Sequence, residues 1–164
     1  MESGEMDIQL VKVDEKDAVA LFSIQREAFM PLLEKYKDYD TNPANEDIDK
    51  MIKRMNNPNG VFYKIIYNQK LVGAINVLWK KGTYEYKISP MFIAPEYQGK
   101  GIAQETIKMV ERYYLEASSW ELATIKEERN CHLYEKIGYS QTGELRQLNG
   151  NTTLIFYKKL MDEM

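Results

Sequence analysis

A chain of 164 residues and 19.2 kDa, 44% hydrophobic and 12% aromatic, has the size and apolar content for one domain around a single core. A formal net charge of −3 with no long Lys/Arg run excludes the basic footprint of a nucleic-acid binder and favours small-molecule chemistry. One cysteine (Cys131) and one histidine (His132) exclude an internal disulfide framework and a Cys/His metal cluster, so no metal is expected. No apolar run approaches a membrane span, and MESGEMDIQL lacks the basic and apolar regions of a signal peptide; a cytoplasmic protein without a membrane partner is the expectation, monomer or homodimer.

Ile8, Leu10 and Val11 to Val13 predict a first strand. Asp14 then suits a helix N-cap, and Ala18, Leu21, Phe22, Ala28 and Phe29 share one helical stripe until Pro31, which is expected to interrupt it. Residues 31–45 carry Leu32, Leu33, Tyr36 and Tyr39 among charges and read as a short irregular helix and loop. Asn45 is the expected cap of a second helix with Ile48, Met51, Ile52 and Met55 inward, stopped by the turn signal Asn56-Asn57-Pro58-Asn59-Gly60. Three β-branched and aromatic runs follow, Val61 to Tyr67, Leu71 to Trp79 and Tyr84 to Ala94, and read as an antiparallel meander. Pro90 inside the third run predicts a bulge or splay, because proline donates nothing to a ladder.

The third strand runs through Ile93-Ala94-Pro95 into Gln98-Gly99-Lys100-Gly101-Ile102-Ala103, where a helical pattern begins at once. Ala103, Ile107, Val110, Tyr114 and Ala117 form its apolar face, and Glu105, Lys108 and Glu111 are expected to face water. After it come a strand (Trp120 to Ile125), a short helix (about Asn130 to Ile137) stopped by Gly138, and a hairpin, Tyr139 to Leu148 and Thr152 to Leu160, turning at Asn149-Gly150. The order is βααβββαβαββ.

A strand, a glycine loop and a helix N-terminus in succession aim backbone N–H groups and a helix dipole at one spot, a phosphate-binding device. Gly99 and Gly101 allow close approach of a ligand. The dinucleotide fingerprint fails at Gln104, where a third glycine is needed, and the Walker loop fails because Gly101 follows Lys100. The stretch resembles the acyl-CoA loop of the GNAT N-acetyltransferase superfamily, matching it at Ile93, Pro95, Gln98, Gly101 and Ala103. Leu133-Tyr134-Glu135-Lys136-Ile137-Gly138-Tyr139 resembles that family's Tyr-Glu-Lys-x-Gly-Phe/Tyr segment, and the element order is similar over nearly the whole chain, with a core at about residues 6–161 of a single domain spanning 1–164.

The resemblance implies an α/β (α+β) fold: a central, mixed, mostly antiparallel sheet, splayed between its middle strands and flanked by helices, with acetyl-CoA (coenzyme A) in the opening. It implies acetyl transfer to a primary amine of a small molecule or peptide by direct attack in a ternary complex. Tyr134 is then the general acid for the departing thiolate. Phe92 and Ile93 are the candidate oxyanion donors through their backbone. Gln98, Gly99, Lys100, Gly101, Ile102 and Ala103 hold the cofactor. The chain departs from the family at Glu127, where many members have an asparagine; Asn130 either replaces it at the cofactor or caps its helix. Glu85 is the candidate base and Tyr36, Tyr39, Tyr84 and Tyr86 the candidate acceptor contacts. Six carboxylates between Glu34 and Lys50 against three lysines would attract a cationic amine if they face the acceptor. A non-catalytic CoA-binding or regulatory module on the same fold is the rival reading, supported by Glu127, and a modifier of tRNA or of protein termini is a third, its tRNA form disfavoured by the low basicity.

Overall fold

The computed structural model describes residues 6–128 and 131–161. Its elements in chain order are β1 (Ile8–Lys12), α1 (Ala18–Tyr36), α2 (Ile48–Met55), β2 (Gly60–Tyr67), β3 (Lys70–Trp79), β4 (Glu85–Ile93), α3 (Ile102–Tyr113), β5 (Ser119–Ile125), α4 (Cys131–Lys136), β6 (Ser140–Asn149) and β7 (Thr152–Leu160), with short 3₁₀ turns at Glu15–Asp17, Pro43–Asn45 and Pro95–Tyr97. The strands form one seven-stranded sheet in the order β1-β2-β3-β4-β5-β7-β6, antiparallel except between β4 and β5. This is the mixed, mostly antiparallel sheet flanked by helices that the resemblance implied.

Two layers of apolar side chains hold helices to opposite faces. Leu21 of α1 and Met51 of α2 pack with Phe62, Ala74 and Phe92 on one face. Ile102, Ile107 and Val110 of α3 pack with Val72, Ile75, Ile88, Trp120, Leu122 and Tyr157 on the other. The period of two along the strands sends alternate side chains to alternate layers, reset in β3 by the register shift with β2 at residues 71–73, so that Val72 and Ile75 share a layer. β3 and β4 approach unusually closely at Gly73, where a Cβ would lie 2.1 Å from Phe92 O, so no larger residue fits.

The parallel pair β4–β5 lasts three residues, Glu85↔Ser119, Tyr86↔Trp120 and Lys87↔Glu121, and then opens. On the other side of β4 the register with β3 shifts between Ile75 and Val77, opposite residues 88–91. Pro90 lies in that bulge and brings no N–H to either neighbour. Asn76 fills the gap, its Nδ2 donating to Ser89 O at 2.9 Å.

Three local expectations are corrected. Pro31 does not end α1, which runs on to Tyr36 and closes with Lys37 in the left-handed region, its N–H on Leu33 O at 2.8 Å. A mid-helix proline costs about 3 kcal/mol; the burial of Leu33 and Tyr36 in the turn beyond it offsets that cost. Asn45 does not cap α2: it lies in the preceding 3₁₀ turn, its Nδ2 on Tyr39 O at 2.7 Å, and Asp47 takes the cap position. Glu111 does not face water. It is 8% exposed and accepts from Tyr139 Oη at 2.7 Å and from Lys159 Nζ at 2.8 Å, while Lys159 also donates to Ile137 O at 3.0 Å. Burial, and then the bond to this carboxylate, pushes the Tyr139 phenol well up, so Tyr139 stays a donor.

Removing one member of such a buried pair strands the other. Glu111→Ala is expected to destabilise the protein by about 3–5 kcal/mol, read as a lowered urea midpoint, with Glu111→Gln retaining part of the loss; a midpoint unchanged in both variants contradicts this role.

Candidate active site

The opening between β4 and β5 exposes main-chain groups that a continuous sheet would consume. Ala94 N–H donates to Val72 O at 2.7 Å. By the alternation of an antiparallel ladder, Phe92 also turns its N–H and C=O toward β3, and Met91 and Ile93 turn theirs into the opening. Of the two amides expected at the site, that of Ile93 faces the opening, whereas the Phe92 amide is committed to the ladder and its ring packs edge-on against Phe29 with centroids 6.2 Å apart.

The chain then makes the 3₁₀ turn Pro95–Tyr97 and enters α3 through Gly99 (φ 78°) and Gly101 (φ 86°). Gln98 Nε2 donates to Ile93 O at 2.9 Å, which fixes the loop against the strand and occupies the amide expected at the cofactor. Gly101 is the N-cap of α3 and brings no side chain to it, so the first N–H groups of the helix have no intrahelical partner. Gly99, Gly101, Ile102, Ala103 and Gln104 line a cleft of about 660 Å³ with Met91, Ile93 and Tyr134. A Cβ at Gly99 would meet nothing within 4 Å, so the chain leaves a cradle there that a ligand can enter. Ile102, 1% exposed, anchors the loop in the core. Lys100 is exposed and does not line the cleft; Lys136 of α4 does.

A second cleft of about 390 Å³ adjoins the first, walled by the end of α1, residues 88–91 of β4, residues 122–125 of β5 and the β6–β7 hairpin. The two clefts share Phe29, Leu32, Met91, Glu128 and Tyr134. Tyr134 is half-buried on α4, its ring 5.9 Å from that of Tyr157, and Gln104 Nε2 ties α4 to α3 through Leu133 O at 3.2 Å. Glu128 Oε2 accepts from Tyr36 Oη at 2.5 Å and from Lys35 Nζ at 3.0 Å. The Tyr36 bond, more than the Lys35 charge, holds the Glu128 carboxyl below its usual range. Burial, then the bond to Glu128, pushes the Tyr36 phenol up, and Lys35's own bond to Glu128 pushes its amine up. All three shifts favour one charge state: a carboxylate, a phenol and an ammonium.

Other expected site residues lie elsewhere. Tyr84, Glu85 and Tyr86 are at the closed end of the strand pair and line neither cleft. Glu85 is exposed, and Tyr86 is buried in an aromatic cluster with Trp79, Tyr114 and Trp120, its hydroxyl on Glu116. Tyr39 is 55% exposed and lines neither cleft, whereas Tyr36 lines the second. Of the six carboxylates between Glu34 and Lys50, only Asp38 reaches a cleft, and Glu46 is paired with Arg54 at 2.9 Å. Asn130 lies outside the described residues. Glu127, at the family's asparagine position, accepts from Thr153 N–H at 3.0 Å and pins its loop to β7. Glu128 and Lys136 are not singled out by any motif, although Lys136 belongs to the quoted Tyr-Glu-Lys segment.

Residues 32–160 match the family described as the acetyltransferase (GNAT) domain, and the chain belongs to that family. It is 30% identical over 117 residues to the uncharacterized protein YrkN of Bacillus subtilis (strain 168), a match over 70% of this chain and 63% of that relative's length. In fold it is similar to spermidine N-acetyltransferase from Vibrio cholerae, solved with CoA and spermine (TM-score 0.74, 20% identity, 93% of this chain and 95% of that one). It is likewise similar to the ribosomal-protein-S18-alanine N-acetyltransferase from Escherichia coli (TM-score 0.74, 12% identity, 96% of each chain). The family's acyl donor is acetyl-CoA, and the first cleft fits its anionic arm: backbone donors at the start of α3, an open glycine cradle and Lys136 at the wall.

Gly99→Ala is expected to weaken acetyl-CoA binding about tenfold or more, since it fills space that bonded phosphate oxygens require. Gly143 is the control, with a φ of 92° and equally open surroundings but no place in either cleft. Calorimetry that finds Gly99→Ala and Gly143→Ala equally able to bind acetyl-CoA removes the loop from the site.

Proposed function

We propose that this protein is an N-acetyltransferase that moves the acetyl group of acetyl-CoA to a primary amine of a small molecule or peptide, by direct attack with donor and acceptor bound together. The observation that carries the reading is the meeting of the two clefts where β4 and β5 part, with Met91, Glu128 and Tyr134 common to both. One cleft offers backbone donors to an anionic cofactor; the other offers an apolar wall with a carboxylate at its inner end.

When bound, acetyl-CoA supplies an activated acetyl thioester. Ile93 N–H, directed into the opening, donates a hydrogen bond to the carbonyl oxygen as charge gathers there. Tyr134 Oη supplies a proton to the leaving sulfur. Glu128, and not Glu85, lies where it can meet the acceptor: Oε2 is held by Tyr36 and Lys35, and Oε1 accepts a hydrogen bond from the acceptor nitrogen and orients its lone pair, while the nitrogen's proton passes to water as the C–N bond forms, because a carboxyl held below its usual range is a weak base. The spermidine and ribosomal-protein neighbours are named for amine acceptors, which supports the chemical class of acceptor without identifying it.

Tyr134→Phe keeps the ring and removes the proton donor, so turnover should fall by roughly ten- to ten-thousandfold with acetyl-CoA affinity retained. Undiminished release of free thiol with a confirmed acceptor would make Tyr134 structural.

Glu128 also sets a pH dependence. Its folded-state pKa lies below the ordinary value of 4.5, so the stability it contributes is fully present above that value and is lost as pH falls through the depressed one. Glu128→Gln should abolish that part of the acid limb in thermal melts and raise the acceptor KM; superimposable acid limbs for wild type and variant contradict the assignment.

A further inference from the structure

The charges around the acceptor cleft do not balance in the way a polycation would need. Among the described residues, those that line it with charge are Asp38, Glu128 and Arg146. Asp38 is 7% exposed and spends both oxygens on Thr41, Oδ1 on its N–H and Oδ2 on its hydroxyl. Glu128 lines both clefts and spends Oε2 on Tyr36 and Lys35, and Oε1 has no hydrogen-bond donor among the described residues. Arg146 makes no ion pair among the described residues, not even with its strand neighbour Glu144, and its guanidinium rests on the Phe156 ring at 5.5 Å from the centroid.

Register fixes where that guanidinium sits relative to Glu128. Ile125 of β5 pairs with Leu154 of β7, and Leu154 pairs with Arg146 of β6. Paired residues share a face, so Ile125, Leu154 and Arg146 form one row across the sheet, about 10 Å long at the usual strand spacing. Glu128 follows Ile125 by three residues, its N–H on Ile125 O at 3.1 Å. An apolar floor of Ile125 and Leu154 therefore runs from an amine-accepting oxygen to an unpaired cation. A planar fork of N–H donors backed by an aromatic ring is suited to a carboxylate, and it repels a second ammonium.

We infer that the acceptor is a small amino carboxylate, its anionic end held by Arg146 and its amine presented to Glu128 Oε1. The inference rests on the amine acetylation proposed above and narrows its substrate class. A diamine or polyamine would set a positive charge against Arg146, and among the described residues no free carboxylate lines that end of the cleft to receive it.

The test uses ω-amino carboxylates from glycine to 6-aminohexanoate, diamines of matched length and neutral monoamines. Thiol release gives KM and kcat, and calorimetry on the CoA-loaded protein gives binding without turnover. Wild type should favour an amino carboxylate over its matched diamine. Arg146→Gln should raise the KM for that acceptor by about tenfold, with kcat little changed, as for loss of one charge-assisted contact. Arg146→Glu should reverse the preference toward the diamine. Wild-type preference for the diamine or the monoamine, or a KM indifferent to Arg146→Gln, overturns the inference while leaving amine acetylation standing. If no amine releases thiol, the proposed activity fails, and calorimetry still decides the charge question: amino-carboxylate binding weakened by Arg146→Gln supports it, and absence of such binding overturns it.

Discussion

The parting of β4 from β5 after three paired residues is the constraint on which everything else depends. A sheet stays closed when every edge group finds a partner, and an unpaired buried amide or carbonyl is costly. Here the bulge at residues 88–91, with Pro90 inside it and Asn76 bonded to Ser89 O, turns β4 away from its parallel neighbour. Met91 and Ile93 then present main-chain groups to a gap in the middle of the sheet. Gln98 answers one of them, the Ile93 carbonyl. The Ile93 N–H remains directed into the opening beside the first cleft, so the oxyanion donor of the proposed reaction is a by-product of the same parting that makes room for the reactants.

A split sheet needs its walls held by something other than strand pairing, and polar links between distant segments do this. Glu111 joins α3 to Tyr139 and, through Lys159, to Ile137 O, so the helix that carries the glycine loop is bound to the turn that follows α4. Gln104 joins the same two helices nearer the cleft. On the opposite wall, Tyr36 and Lys35 at the end of α1 hold Glu128 of the β5–α4 loop. Glu127 ties that loop to β7 from the other side. Tyr134 and Glu128 are thus positioned by contacts reaching across the fold, and preorganised groups of this kind cost little reorganisation when charge develops.

Much of the fold is legible in the sequence because it follows from local rules. The change of period after Gly60, the glycine after the short helix and the hairpin near Asn149-Gly150, whose turn falls one residue later at Gly150-Asn151 because Asn149 still pairs with Thr152, mark strands and boundaries that depend on neighbours a few residues away. Pro90 announces the bulge for the same reason. What is not legible depends on partners far along the chain. Glu111 looks solvent-facing by helical period, yet Tyr139 and Lys159, 28 and 48 residues later, make a buried site for it. Alternation along β4 groups Glu85 with Lys87 but does not tell which end of the strand opens, so Tyr84, Glu85 and Tyr86 read as site residues although they lie at the closed end. Glu128 is one carboxylate among many until Tyr36, 92 residues earlier, is brought against it.

The central claim is that donor and acceptor meet in the gap between β4 and β5, and a crystal structure of the protein with CoA tests it most directly. The account predicts pyrophosphate on the N–H groups of residues 99–104, the pantetheine arm running between β4 and β5, and the sulfur within hydrogen-bonding reach of Tyr134 Oη. CoA bound outside that gap, or a gap closed by continued pairing of β4 with β5, would contradict it.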